Sequence, residues 1–523
     1  MADDATQNYD AIVIGSGLGG LTSGALAARA GWRVLLLERN NGFGGAASTY
    51  VRGGLKIEAS LHETTHPSSL TDPKHDVFRA LDLDTDVDFV PVGDFMEVRG
   101  GPVGAPLALP HGLGAIESRL AARFPEEARN IKLFLRRIAR THAAMEIMGD
   151  AHGPLWKASH ASELPIDLWT LIRDFKSSLS DVMRRHFGDN EALKIALAAN
   201  LGYYTDDPDT FWWLGYAMAQ GGYLREGGYY IKGGSQTLSD RLAEIIREEG
   251  GETLTNADAT GVDIGPEGAV AGVRFRVGDA EERASAPVVF ANASPHAITG
   301  MLPAGAAALM ASPFENRKLS TSIFTVTFGL DRPAADFGVA SYSTVLVPDW
   351  IERLSDYKEA SRLTAAPPAD RLSPLTVVDY ARIDSGLIEE QAGQPLHPLS
   401  VAFADRFDNW RGLDADAART RKVEWVEAIL KRLDAEWPGI AAAVRQTSSA
   451  SPVDMRNYLG TPDGAIYGFE LAVPKDAPKG PPLQVKTPID GLYIASSFAG
   501  FGGFTGAMGA GAAAAKAAMA GRS

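Results

Sequence analysis

Apolar and polar positions follow two different periods along this chain. Four apolar residues, 11 to 14, end at a glycine; residues 18 to 30 are small and helix-compatible; a second apolar run spans 33 to 38. The pattern predicts strand, turn, helix and strand. Farther on, 227–275 holds Leu238, Leu242, Ile245 and Ile246 at the spacing of an amphipathic helix, followed by Gly250-Gly251 and short strands. Alternation predicts strands over 322–330, 375–383 and 399–403. A second amphipathic helix is expected over 420–437, with Val423, Val426, Ile429, Leu430, Leu433 and Trp437 on one side and Pro438 ending it. Residues 491–519 read as an apolar strand, a glycine loop and an alanine-rich helix, and roughly 112–222 as a helical insert. There is no internal repeat.

The 523 residues are 45% hydrophobic and 22% charged, which excludes a disordered chain, a collagen and a coiled coil. The length predicts two to four domains and at least one cleft between them. The first ten residues are polar and acidic, unlike a secretory signal. No run reaches the roughly 18 apolar residues of a spanning helix. A cytoplasmic protein is expected, with peripheral contact to the inner membrane face as the further expectation. The net charge of −15 disfavours nucleic acid as a partner. The absence of cysteine removes disulfides, thiolate metal sites and thiol nucleophiles, so any redox chemistry must come from a cofactor.

Gly15, Gly17 and Gly20 fit G-x-G-x-x-G between the first strand and its helix, and Glu38 closes the second strand. Gly15 permits a tight turn, Gly17 lets backbone approach a pyrophosphate, and Gly20 lets helix and strand pack closely. The helix N-terminus offers N–H groups and partial positive charge to the phosphates, and Glu38 would accept hydrogen bonds from ribose hydroxyls. Gly42, Gly44 and Gly45 follow Glu38, a placement that NAD enzymes do not require. It resembles the FAD-containing families of the glutathione-reductase type, in which a Gly-Gly segment lies along the cofactor.

Together with the Tyr-x-Lys-Gly-Gly block at 230–234, VVFANASP at 288–295, SPVDMRNYLGTPDGAIYG at 451–468 and the C-terminal loop, these motifs resemble the phytoene desaturase, carotenoid isomerase and retinol saturase superfamily. The resemblance implies an α/β fold: a discontinuous Rossmann-like FAD-binding domain from 1–75, 225–300 and 485–523, and a mixed α+β substrate domain with a helical insert from 76–224 and 301–484. It implies FAD contacts from Gly15, Ser16, Gly17, Leu18, Gly19, Gly20, Glu38, Arg39, Gly44, Gly45, Ala46, Ser60, Leu61, Ala259, Ser497, Phe504, Thr505 and Met508. One departure stands out. The family commonly has Gly-Asp in the C-terminal loop, where this chain has Ser496 and Ser497.

His62-Glu63-Thr64-Thr65-His66 is a literal H-E-x-x-H. A zinc site needs both histidines on one helix face, but Pro67 pushes His66 away from helical angles, and no metal site is expected. The resemblance places 56–66 beside the flavin ring, which makes His62, Glu63 and His66 candidates for proton transfer or substrate orientation. Nine aromatic residues, Tyr203, Tyr204, Phe211, Trp212, Trp213, Tyr216, Tyr223, Tyr229 and Tyr230, fall within 28 positions. They read as core or as the wall of an apolar tunnel. The family's chemistry implies desaturation, saturation or isomerisation at carbon–carbon double bonds of a long polyene such as a carotenoid or retinoid. Oxygen, a quinone or a diffusible reductant would be the electron partner. Alternatives are a flavin amine oxidase, a carotenoid ketolase, and a non-catalytic lipid escort resembling the Rab GDP-dissociation inhibitors.

Overall fold

The computed structural model describes residues 7–70, 72–148, 164–388, 395–474 and 484–521. Its organising element is a five-stranded parallel sheet, in the order Glu252–Leu254, Val34–Leu37, Ala11–Ile14, Val289–Ala291, Leu492–Ile494. The central strands Ala11–Ile14 and Val34–Leu37 read as continuous apolar runs because every residue in them is buried, as in a parallel sheet covered on both faces. The helix Leu18–Arg29 packs between Ser235–Glu248 and Gly503–Ala520. Leu238, Leu242, Ile245 and Ile246 are all fully buried, as their spacing predicts. A second layer, Ala257–Ile264, Val270–Val277 and Ala280–Ser285, is antiparallel, with Gln7–Asn8 added in parallel at its edge.

A seven-stranded sheet stands over this unit, ordered Val444–Ala450, Ser322–Leu330, His397–Asp405, Leu375–Asp379, Ser343–Val347, Met96–Gly100, Gly104–Leu109. One face carries Phe324, Val326, Phe328, Leu399 and Val401 and packs on the helix Ala415–Glu436. The other carries Ile323, Thr325, Thr327 and Ser400 and faces a cavity. The helices of the insert, from Leu113–Arg123 to Trp213–Glu226, gather around a third core. Residues 149–163 of that insert lie outside the described residues.

Three expected elements differ. The strand beginning at Leu375 stops at Asp379, whose carboxylate accepts the Ala381 N–H (3.1 Å) and starts a single 3₁₀ turn. The strand at 399–403 runs two residues longer at each end, as His397–Asp405. The helix expected at 420–437 is Ala415–Glu436, capped by Asp414 on the Ala417 N–H at 2.8 Å. Its buried stripe is Trp425, Ile429 and Leu433, whereas Val423 is 50% exposed. Trp425 sets that rotation: its ring is buried and its indole N–H donates to the Ala366 carbonyl (3.0 Å).

Candidate functional site

A single cavity of about 1460 Å³ runs from the carboxyl ends of the five-stranded sheet to the aromatic residues of the insert. The carboxyl ends of parallel strands are where open α/β sheets bind ligands. At that end Gly15 has φ +89°, a region that glycine enters freely, and its N–H donates to the Leu37 carbonyl (2.8 Å). A Cβ on Gly17 would stand 2.4 Å from the Asn292 side-chain amide. That amide satisfies two backbone groups when its oxygen accepts the Gly17 N–H (2.7 Å) and its nitrogen donates to the Ala495 carbonyl (2.9 Å). Asn292 therefore joins the glycine turn to the C-terminal strand.

Ser16 donates to Glu38 Oε2 from its N–H (2.9 Å) and its hydroxyl (2.6 Å), and Asn40 N–H donates to Oε1 (2.8 Å). Glu38 thus holds the glycine turn in addition to lining the groove. Gly44, at φ +113°, donates its N–H to the Ser16 carbonyl. Gly45, Ala46, Ser60, Leu61 and Ala259 line the same space, and Ser60 Oγ donates to the Ala46 carbonyl (2.6 Å). Arg39 lines it too, with its guanidinium on the Asn457 and Tyr458 carbonyls. Leu18, Ser497, Phe504 and Thr505 complete the set that the structure brings together.

Gly19, Gly20 and Met508 do not line the cavity. One turn into their helices, these positions meet neighbouring backbone instead. A Cβ on Gly19 would stand 2.1 Å from the Ala495 carbonyl, and one on Gly20 would stand 2.2 Å from the Gly15 carbonyl. Met508 is fully buried in the core. His66 is also outside: its ring packs on Phe89 and Tyr229, and Nδ1 bonds Ser68 Oγ (2.7 Å). The aromatic cluster divides as well. Tyr203, Tyr204, Phe211 and Tyr223 line the cavity, whereas Trp212, Trp213, Tyr216, Tyr229 and Tyr230 do not. Trp212 and Trp213 are buried in the core of the insert, the former donating to the Phe175 carbonyl. A run of aromatics in sequence carries no signal of which ring faces a void.

The segment 58–63 connects the two ends of the cavity and is irregular backbone held by side chains. Glu58 accepts from Ser235 N–H (2.8 Å), Ser235 Oγ (2.6 Å), Leu61 N–H (3.1 Å) and Tyr230 OH (3.0 Å). Three consecutive carbonyls each take a tyrosine hydroxyl: Leu61 from Tyr380 (2.9 Å), His62 from Tyr342, and Glu63 from Tyr223 (3.1 Å). His62 Nδ1 bonds the Tyr203 hydroxyl, and burial pushes the imidazole down to about 4, so the ring is neutral. Glu63 lines the cavity, and among the described residues its buried Oε2 has no hydrogen-bond partner.

Sequence reasoning missed Asn292, the tyrosine clamp, and Lys74. Lys74 is fully buried and donates to Asp72 Oδ2, Thr65 Oγ1 and Thr505 Oγ1, each at 2.9 Å. Asn292 was legible as the polar residue directly after a buried strand; the others join segments up to 431 residues apart, a separation invisible to local patterns.

Among the described residues, no group of three or more His, Cys, Asp or Glu side chains stands where it could hold a metal ion. The groove does suit a dinucleotide. Two helices, Leu18–Arg29 and Gly503–Ala520, start at Gly17 and Gly502 with no side-chain cap, and both N-termini meet the cavity. Their unsatisfied N–H groups and positive dipole ends are the groups a pyrophosphate would use.

Fold and groove together define a Rossmann-type dinucleotide-binding protein with a second sheet enclosing a chamber. Residues 13–81 match the model of an NAD(P)-binding Rossmann-like domain. The chain is similar to all-trans-retinol 13,14-reductase of Danio rerio, at 24% identity over 94% of this chain and 83% of the relative. It is similar to the neurosporene-forming phytoene desaturase of Rhodobacter capsulatus, at 24% identity over 93% and 89%. Among solved structures, an oxidoreductase from Methanosarcina mazei superposes with a TM-score of 0.63 at 18% identity, covering 96% of this chain and 99% of that one, and shares its fold.

Proposed function

We propose that this protein is an FAD-dependent oxidoreductase acting on carbon–carbon double bonds of a long hydrophobic polyene of the carotenoid or retinoid class. The observation that carries the reading is the continuity of the cavity. A dinucleotide groove with two uncapped helix ends opens directly into a chamber of Tyr203, Tyr204, Phe211, Met218 and Leu471. Full-length similarity to proteins named for a retinol reductase and a phytoene desaturase supports it.

Bound FAD supplies hydride transfer to or from carbon. The chain would hold it through the glycine turn, Glu38, Gly44 to Ala46 and the Ser497 to Thr505 segment. The buried chamber excludes water and keeps a substrate chain in place. The clamped carbonyls of 61–63 fix the backbone between groove and chamber. In this reading 1–75, 225–300 and 485–523 make the cofactor domain, and 76–224 and 301–484 the substrate domain. The electron partner is oxygen, a quinone or a diffusible reductant.

Among the described residues no helix is long and apolar enough to cross a membrane. The exposed Trp169 and Ile172, on the helix Leu164–Asp174, support peripheral contact with the inner face of a membrane for a cytoplasmic protein.

The test is purification followed by absorbance spectroscopy and anaerobic mixing of the reduced protein with all-trans-retinol. A yellow protein whose flavin is reoxidised by retinol supports the reading. A colourless protein that FAD does not reconstitute, yet that co-purifies with lipid, replaces it with the escort.

A further inference from the structure

We infer that Glu63 is the proton donor of this site and delivers its carboxyl proton to a substrate carbon when a double bond is saturated. The inference rests on the functional reading above and deepens it by assigning a residue.

The geometry singles out this carboxyl. Of the other acidic residues around the cavity, Asp76 and Asp258 are exposed, and Glu38, Glu58, Asp72, Glu226 and Asp454 each accept hydrogen bonds from protein donors. Glu63 has a buried Oε2 with no partner among the described residues. The side chain is seated over Gly228, where a Cβ would stand 2.3 Å from Oε2, so the position is packed. The backbone is equally fixed. Tyr223 OH holds the Glu63 carbonyl, and the next residue, Thr64, exchanges two 2.8 Å hydrogen bonds with Tyr229. A carboxylate left without donors in such a place is costly, whereas a carboxylic acid is tolerated.

The surroundings agree. Burial raises the Glu63 carboxyl to about 8, with no cation or donor offsetting it. The titratable groups facing it are Tyr203 and Tyr204 from the 3₁₀ segment Ala199–Tyr203 and its end, Tyr223 from the helix Trp213–Glu226, Tyr342, and its neighbour His62. The four phenols are held well above 10 and His62 is neutral. None supplies a charge at neutral pH, and none is as acidic a donor as Glu63.

Saturation of a C=C bond adds one hydride and one proton. Bound in its reduced form, FAD would supply the hydride, which carries both electrons, and a diffusible two-electron donor would restore it. The proton comes from Glu63: its O–H bond breaks as a C–H bond forms, the π bond is lost, and water reprotonates the carboxylate.

Two measurements on the flavin-loaded protein test this. Infrared difference spectra between wild type and Glu63→Gln report the carboxylic acid directly and need no substrate. A protonated-carboxyl C=O band at pH 7 that titrates away near pH 8 and is missing in the variant is expected; an ionised Glu63 at pH 7 overturns the proposal. In anaerobic single turnover, dithionite-reduced enzyme is mixed with all-trans-retinol and flavin reoxidation is followed. Glu63→Gln should slow it by about 100-fold or more with the flavin spectrum unchanged, and Glu63→Asp should recover part of the rate. The wild-type rate should fall as pH rises through 8. A variant within about threefold of wild type, far below the roughly 100-fold that is the least one proton donor ordinarily contributes, overturns the assignment. A protein that binds no FAD instead overturns the functional reading, with the infrared result still deciding the state of Glu63.

Discussion

Replacing Lys74 by methionine isolates the energetics of the buried pair beneath the C-terminal helix. Lys74 and Asp72 have side-chain exposures of 0% and 1% and meet at 2.9 Å. Methionine keeps most of the stem but deletes an ammonium that uses all three of its donors, on Asp72, Thr65 and Thr505. What remains is a buried carboxylate without its counter-charge. Breaking a buried pair from one side costs about 3–5 kcal/mol. With an unfolding entropy of about 2.1 cal/mol/K per residue, a single cooperative transition of this chain has about 1.1 kcal/mol/K, so Lys74→Met should lower Tm by about 3–5 °C. The double variant Asp72→Asn with Lys74→Met removes the orphaned charge and should recover about half of that loss. Differential scanning calorimetry of the three proteins measures both numbers. Thr505, at the first turn of a helix that meets the groove, also loses its donor, so the single variant should release FAD faster. A Tm within about 1 °C of wild type, or a double variant no more stable than the single one, would refute the reasoning.

Gly17→Val places a side chain where the Asn292 amide already stands at 2.4 Å, and should give a protein with wild-type circular dichroism that retains no FAD after gel filtration. Gly511→Val drives a Cβ to 2.2 Å from the Gly19 carbonyl, where the first and last helices touch backbone to backbone. Overpacking of this kind costs about 3 kcal/mol, which calorimetry should show as a Tm lower by about 3 °C. Glu63→Gln should change stability in a pH-dependent way. The folded carboxyl keeps its proton up to about 8 while the unfolded one loses it near 4.5, so Glu63 makes wild-type stability decline across that window relative to the variant's. The Tm difference should widen from pH 4.5 to 8 and be constant above it; a difference independent of pH would show an ionised Glu63 in the fold.

The nucleotide half of the fold was legible because its strands and helices are short, continuous and marked at their ends by glycine. The run 11–38 predicted its elements to within a residue, and the spacing of Leu238, Leu242, Ile245 and Ile246 identified a buried face. The chamber end of the cavity was legible only in part. His62 and Glu63 were singled out by a motif with a different usual meaning, and His66 shared that motif but turns to Phe89 and Tyr229. What separates them is tertiary: the chain bends at 61–63 because tyrosines 223, 342 and 380, far away in sequence, hold its carbonyls. The helix Ala415–Glu436 gives the same lesson in packing. Its apolar residues cover more than one face, and the choice between Val423 and Trp425 was made by a partner, the Ala366 carbonyl, that no periodicity contains.

The five-stranded sheet takes its strands from the first tenth, the middle and the last tenth of the chain, and Leu492–Ile494 forms its edge. A ribosome must therefore translate through residue 520 before the helix Gly503–Ala520 can settle beside Leu18–Arg29. Until then the apolar strand Val289–Ala291 waits without its outer neighbour, an exposed edge that is an aggregation hazard during synthesis. Cofactor loading consequently waits for that helix, and a chain that stops before Gly503 would carry a nucleotide fingerprint but no complete pocket to use it.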